Sequence, residues 1–128
     1  MAAINSSKVQ NILNMRPEER YHYFIRKIGD FEEVWGLYDN GWATSKDNLG
    51  NIVLPFWPEQ GFAELCVAGT WKSYIPKSIS LSDFMDKWLH GMDKDGTLVG
   101  VFPIPDGKGI VLSASKIRSD IENELDQY

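Results

Sequence analysis

The residues able to do chemistry in this chain are few: one cysteine and two histidines among 128 residues, beside eighteen carboxylates. A thiol next to an imidazole makes a nucleophile with its base, so Cys66 with His22 or His90 is the first arrangement to weigh. Cys66 shares an apolar stripe with Phe62 and Leu65 at i, i+3, i+4. A reactive thiolate needs an electropositive, partly exposed setting, and this spacing predicts a buried, inert thiol instead. His22 lies one step off the Tyr21/Phe24 stripe, beside Glu18, Glu19 and Arg26, which predicts solvation. His90 precedes Gly91 near a helix end, where the dipole favours an imidazolium. Two distant histidines and one buried cysteine give no zinc spacing. Asp93-Lys94-Asp95-Gly96 echoes the start of a calcium loop, but Ile104 stands where its twelfth-position glutamate belongs. No metal or other cofactor is expected.

Catalytic strings are equally sparse. Paired carboxylates occur at Glu32/Glu33, Glu59/Glu64 and Asp83/Asp86, but glycoside chemistry depends on their separation in space. There is no Gly-x-Ser-x-Gly string to strain a serine onto a strand-to-helix turn. Gly107-Lys108-Gly109 is the one Gly-x-Gly, and Leu112 occupies the third glycine position of a dinucleotide fingerprint. It reads as a turn.

Tryptophan is the unusual component, with five in the chain. Trp35 and Trp88 sit in apolar patterns and are expected in the core. Trp42 follows a turn, Trp57 stands between Phe56 and Pro58, and Trp71 lies in a Gly-Thr-Trp-Lys string. Tryptophan at loops and strand ends supplies large contact area at low entropic cost. Trp42, Trp57 and Trp71 are therefore candidate binding anchors, or else covers for the sheet ends of a small domain. Glu59 and Glu64 beside them would steer a protein partner with a basic surface.

The charge pattern narrows the partners. Thirteen Lys and Arg against eighteen Asp and Glu leave a net charge of −5, spread evenly along the chain. Phosphate backbones are held by clustered cations. Here the densest groups, Arg26-Lys27 and Lys116-Ile117-Arg118, sit among carboxylates. Nucleic acid is not an expected partner. The carboxylates Asp120, Glu122, Glu124 and Asp126 gather at the end of the last helix, as a solvated end or a handle for a basic partner. No basic stretch followed by an apolar run opens the chain, no lipidation motif marks either end, and no run approaches the length of a membrane span. A cytoplasmic protein without membrane contact is expected, disulfides being excluded by the single cysteine.

The elements that must position these residues follow from periodicity. Ser6 or Ser7 caps a short helix within residues 1–15, which lies at the periphery of the domain. Pro17 opens a second helix whose Tyr21, Phe24, Ile25 and Ile28 form one stripe, ended by Gly29. Strands are predicted over 34–38, 42–45 and 52–57, with Asp39-Asn40-Gly41 as a hairpin signal and Pro55 placing the third at an edge. Pro58 opens a helix closed by Gly69, and a strand runs from 74 to 79. Ser80 caps the most amphipathic helix, carrying Leu81, Phe84, Met85, Trp88, Leu89 and Met92. Strands over 98–102 and 109–112 and a last helix with Ile117, Ile121 and Leu125 complete the chain. The order ααβββαβαββα predicts a single α+β domain over 1–128, with about six short strands in a mainly antiparallel or mixed sheet.

Several strings recur together: Arg20-Tyr21-His22-Tyr23-Phe24, Glu33-Val34-Trp35-Gly36-Leu37, Gly41-Trp42-Ala43, Pro55-Phe56-Trp57-Pro58, Ala63-Glu64-Leu65-Cys66, Trp88-Leu89 and Val101-Phe102-Pro103. In this order, from about Pro17 to Ile121, they resemble the bacterial family known as domain of unknown function 2750. The resemblance implies a small bacterial cytosolic α+β domain and carries no catalytic residue, cofactor or reaction. The order of elements is also similar to that of the N-terminal domain of SseB-like secretion-associated proteins, which implies an interaction module more than an enzyme. The reading from sequence is a non-enzymatic protein-interaction module with an aromatic and acidic surface. The alternative is a small-molecule-binding protein or hydrolytic enzyme with a Trp/carboxylate cleft.

Overall fold

The computed structural model describes residues 6–127. Helices α1 (Ser6–Leu13) and α2 (Pro17–Phe31) lead into β1 (Glu33–Tyr38), β2 (Ser45–Lys46) and β3 (Ile52–Phe56). Helix α3 (Gln60–Leu65) and a 3-10 turn at Gly69–Trp71 precede β4 (Ile75–Ser80). Then α4 (Leu81–Asp83), a π turn (Phe84–Trp88) and α5 (Leu89–Asp95) run on as one helix. Strands β5 (Leu98–Val101) and β6 (Ile110–Leu112) and helix α6 (Ala114–Leu125) follow. This is the α+β order and strand number read from the sequence. Among the described residues no helix is long and apolar enough to cross a membrane.

The strands form two sheets. β1 and β4 make an antiparallel ribbon, from Glu33 opposite Ser80 to Tyr38 opposite Ile75. The other sheet has the order β2-β3-β5-β6, with β3 and β5 parallel and the outer pairs antiparallel. Trp35 and Trp57 exchange both backbone hydrogen bonds, at 2.9 and 2.8 Å, and stitch the ribbon to the end of β3.

Pro55 does not put its strand at an edge, because β3 lies between β2 and β5. Successive residues of a strand bond to opposite sides. Phe56 bonds toward β5 through the Phe102 N–H, and Trp57 bonds the other way, toward β1. Pro55 therefore aims its nitrogen to the side where pairing with β2 has already ended at Val53. No ladder bond is lost there.

The predicted stripes build the core. Phe24 and Ile28 of α2, Phe84 and Leu89 of the long helix, and Ile117 and Ile121 of α6 are fully covered against Phe56, Val99 and Val101. Burial of each such side chain contributes about 1.5–3 kcal/mol. Ile12 brings α1 into the same cluster. Helix α2 continues past Gly29 because Ile28 and its neighbours are held by packing. It ends instead at Glu32, left-handed at φ 56°, whose N–H bonds the Ile28 carbonyl at 2.9 Å.

Other boundaries differ for local reasons. The stretch at 42–45 is no strand: Trp42 makes one bridge to Tyr38, and the chain then leaves β1 so that Ser45 and Lys46 can pair with β3. Gly69 opens the 3-10 turn and does not close α3. Leu65 and Leu125 are exposed, and Trp35 and Trp88 are half-buried, not fully in the core. The π turn left no trace in the apolar spacing. There the Leu89 N–H donates to Phe84, five residues back, and passes over the Met85 carbonyl. Arg118 of α6 supplies the missing donor, its Nη1 lying 2.9 Å from that oxygen.

Candidate functional site

The helices cover one face of the four-stranded sheet. On the other face, alternation along the strands brings Val53 and Pro55 of β3, Gly100 of β5 and Val111 of β6 into one apolar floor. They form the bottom of an open groove of about 580 Å³. Its walls are the segment Ser45, Lys46, Asp47 and Asn48, the loop from Pro103 to Gly109, and the indole of Trp71. No lining residue belongs to an α-helix. Gly100 keeps the floor low, since a Cβ there would stand 2.9 Å from Cγ1 of Val53.

One wall is set by the turn after β2. Asp47 Oδ1 accepts the Leu49 and Asn51 N–H groups at 2.9 and 2.8 Å, and Oδ2 accepts Asn51 Nδ2 at 2.9 Å. The Asn51 side chain and backbone donors hold its carboxyl below the usual carboxylate range. The opposite wall is fixed from behind. Arg20 of α2, 2% exposed, is the one buried charged residue among those described. Its Nε donates to the Phe102 carbonyl at 3.1 Å, Nη2 to Lys108 at 3.0 Å and Nη1 to Met15 at 2.8 Å. Burial pulls its pKa down, and the Glu18 charge opposes that.

Two backbone features complete this wall. Phe102 is held left-handed at φ 56°, a conformation that costs a bulky residue about 1–3 kcal/mol. Gly109 runs so close to the preceding strand that a Cβ would fall 1.9 Å from the Val101 oxygen. Within the loop, Ile104 and Gly107 exchange backbone bonds at 2.9 and 3.1 Å. The loop is therefore shaped before any ligand arrives.

The five residues singled out from sequence do not converge. Trp71 alone lines the groove. Trp57 is 0% exposed, so it is no surface anchor. Its bridge to Trp35 turns the ring inward, where Nε1 donates to the Pro103 carbonyl at 2.8 Å. It meets Trp71 edge to face at 6.2 Å and so supports that indole from below. Trp42 lies elsewhere, half-buried over Gly36 between Tyr38 and Trp88. Glu59 accepts Lys8 Nζ at 2.7 Å and the Tyr23 hydroxyl at 2.6 Å, so both its oxygens are engaged. Glu64 accepts the side-chain amide of Gln60 at 3.3 Å.

The other reactive groups are placed as follows. Cys66 is buried beside Trp57, its thiol directed to the same Pro103 oxygen at 3.5 Å. Burial pushes its pKa up to about 11, against the opposing Trp57 hydrogen bond. His22 and His90 are exposed. Among the described residues no three His, Cys, Asp or Glu are grouped to hold a metal ion. The groove lining holds no cysteine, histidine or glutamate. What it offers is an apolar floor, one indole, the ammonium groups of Lys46 and Lys108, and the carboxylates of Asp47 and Asp106.

The sequence profile of a family described as a protein of unknown function, DUF2750, matches residues 21–121. The chain belongs to the DUF2750 family. No curated protein and no solved structure matches it. The matched span of this DUF2750 chain runs from α2 into α6 and takes in all six strands, Trp71 and both walls of the groove. Arg20, which braces one wall, stands immediately before it.

Two signals for this site were present in the sequence. Gly100 interrupts an apolar strand, which marks a close approach of backbone or ligand. Arg20 precedes Phe24 and Ile28 at i, i+4, i+8, on the apolar face of its helix. A cation in that register has a buried task.

Proposed function

We propose that this DUF2750 protein is a binding module that takes a small, largely apolar ligand in the groove beside Trp71. The observation that carries this reading is a walled, apolar-floored groove of about 580 Å³, a size that suits a small molecule. The braced loop supports it further, because a wall already in shape spares the ordering cost of binding. Among the described residues no base is hydrogen-bonded to the Ser45 hydroxyl in the lining, and Asp47 spends both carboxylate oxygens within its own turn, so binding is favoured over hydrolysis.

A module for a basic protein partner has less support. Of the acids assigned to steer such a partner, Glu59 is engaged by Lys8 and Tyr23, and neither it nor Glu64 lines the groove.

The test uses N-phenyl-1-naphthylamine, a neutral apolar dye that brightens when shielded from water. We expect saturable, one-to-one binding with energy transfer from tryptophan. Trp71→Ala should weaken binding roughly tenfold, as for loss of an aromatic anchor worth about 1–2 kcal/mol. Gly100→Val should block the floor. No saturable binding, or binding unchanged in folded Trp71→Ala protein, would overturn the reading.

A further inference from the structure

We propose that the ligand of this groove is a small organic anion, an aromatic or alicyclic body carrying one acidic group held between Lys46 and Lys108. This rests on the groove being the binding site. The two lysines enter from opposite walls, Lys46 from β2 and Lys108 from the loop before β6. Neither forms an ion pair among the described residues. Asp47, next to Lys46 in sequence, spends both oxygens on donors of its own turn. Asp47 keeps its charge, so the lining balances two ammonium groups against two carboxylates, but among the described residues only Asp106 has oxygens left over to pair with a lysine.

A third positive charge lies behind the wall. The Arg20 guanidinium is buried, and among the described residues it bonds only main-chain carbonyls, those of Met15, Phe102 and Lys108. Among the described residues no carboxylate forms an ion pair with it, and Lys108 itself lines the groove. In the low dielectric behind this wall such a charge is felt further than at an open surface. The chain as a whole carries −5, which repels anions, and with the lining itself balanced the Arg20 charge tips this one groove positive, which gives selectivity for an anionic ligand. The apolar floor and Trp71 set the rest of the ligand: a flat hydrocarbon body, too small for a folded protein surface.

Two probes that share one ring framework separate this proposal from the reading beneath it. One is 8-anilinonaphthalene-1-sulfonate, which carries a sulfonate; the other is neutral N-phenyl-1-naphthylamine. With the full chain at low salt, the sulfonate should bind roughly tenfold more tightly, and the advantage should shrink at high salt. In the Lys46→Gln/Lys108→Gln double variant the ratio of the two affinities should fall to about one. Both substitutions lie at exposed positions, so folding is not at stake. Equal affinities for the wild-type chain would overturn the anion proposal and leave the groove standing as an apolar site. A sulfonate preference that survives in the double variant would also overturn it, placing the acid elsewhere. Failure of both probes to bind would sink the binding groove itself.

Discussion

Arg20 Nε donates to the carbonyl of Phe102 at 3.1 Å across 82 residues of sequence, and Phe102 is itself held in a left-handed conformation. The buried cation thus grips the backbone at a strained residue. Replacing Arg20 with Met strands three carbonyls in or near the interior. Hydrogen bonds to charged groups and buried unsatisfied acceptors lead us to expect a loss of about 2–4 kcal/mol in urea denaturation. Arg20→Lys should recover less than half, because the three N–H groups of an ammonium radiate from one atom and cannot span carbonyls that Nε, Nη1 and Nη2 reach separately. Amide exchange at Ile104 and Gly107, which bond each other within the loop, should accelerate more than exchange in α6. Uniform acceleration would show Arg20 to be a general stabiliser and not a brace for this wall.

Gly36 carries the ring of Trp42. A Cβ at Gly36 would lie 2.9 Å from Cζ3 of that indole, which is also fixed edge to face against Trp88 at 4.8 Å. Gly36→Ala should force the indole off its seat at a cost of about 1–3 kcal/mol. Near-ultraviolet circular dichroism should register the change. A double variant with Trp42→Leu should be less than additive, since the clash has then been removed. Strict additivity would mean the two positions do not interact.

The stripes of α2, the long helix and α6 were legible because burial follows the 3.6-residue period wherever a helix meets a core. Trp57 was not. Its neighbours Phe56 and Pro58 say nothing about which side of the strand β1 will occupy, and its fate was decided by a bridge to Trp35, 22 positions earlier. The groove was harder still. Its floor is assembled from Val53, Pro55, Gly100 and Val111, which meet only through the registers of β3, β5 and β6. Gly100 hinted at something close by without saying what. The π turn was invisible because its carbonyl is satisfied by Arg118, a partner outside the helix.

Cys66 should act as an internal reporter of opening. Its thiol is buried and its pKa is pushed up to about 11, so the thiolate is scarce at neutral pH. Ellman-type labelling should be negligible in the native protein and complete on unfolding. The raised value also sets a sign: the contribution to stability is intact below the ordinary thiol range of about 8.5. It fades as pH climbs towards 11. Rapid labelling of native protein at neutral pH would contradict the burial.

Tyr21 and Tyr23 should hold their protons unusually long. Burial raises both, and each donates to a carboxylate, Asp120 and Glu59 respectively, whose charge raises it further. Folded-state values above the unfolded one mean that this stabilisation is complete below about pH 10 and is lost beyond it. Phenolate absorbance should therefore show a late-ionising component from Tyr21 and Tyr23, together with alkaline unfolding. Glu59→Gln should bring Tyr23 down towards ordinary behaviour and, with the Lys8 ion pair broken, cost about 1–2 kcal/mol. A titration curve unchanged by Glu59→Gln would refute the coupling.

The parallel pairing of β3 with β5 has a consequence for biogenesis. Val53 and its partner Leu98 are 45 positions apart, with α3, β4 and the whole long helix between them. Until the ribosome has released the chain beyond Val101, the apolar inner edge of β3 has no strand to receive it. The β1–β4 ribbon can close earlier, because its last residue is Ser80. The emerged chain is then a finished two-stranded ribbon beside an unfinished sheet, with Phe56 waiting for its cover. A chain held with Ser80 outside the ribosome and Val101 still inside it keeps the inner edge of β3 uncovered, which is an interval where a chaperone has an apolar strand to protect.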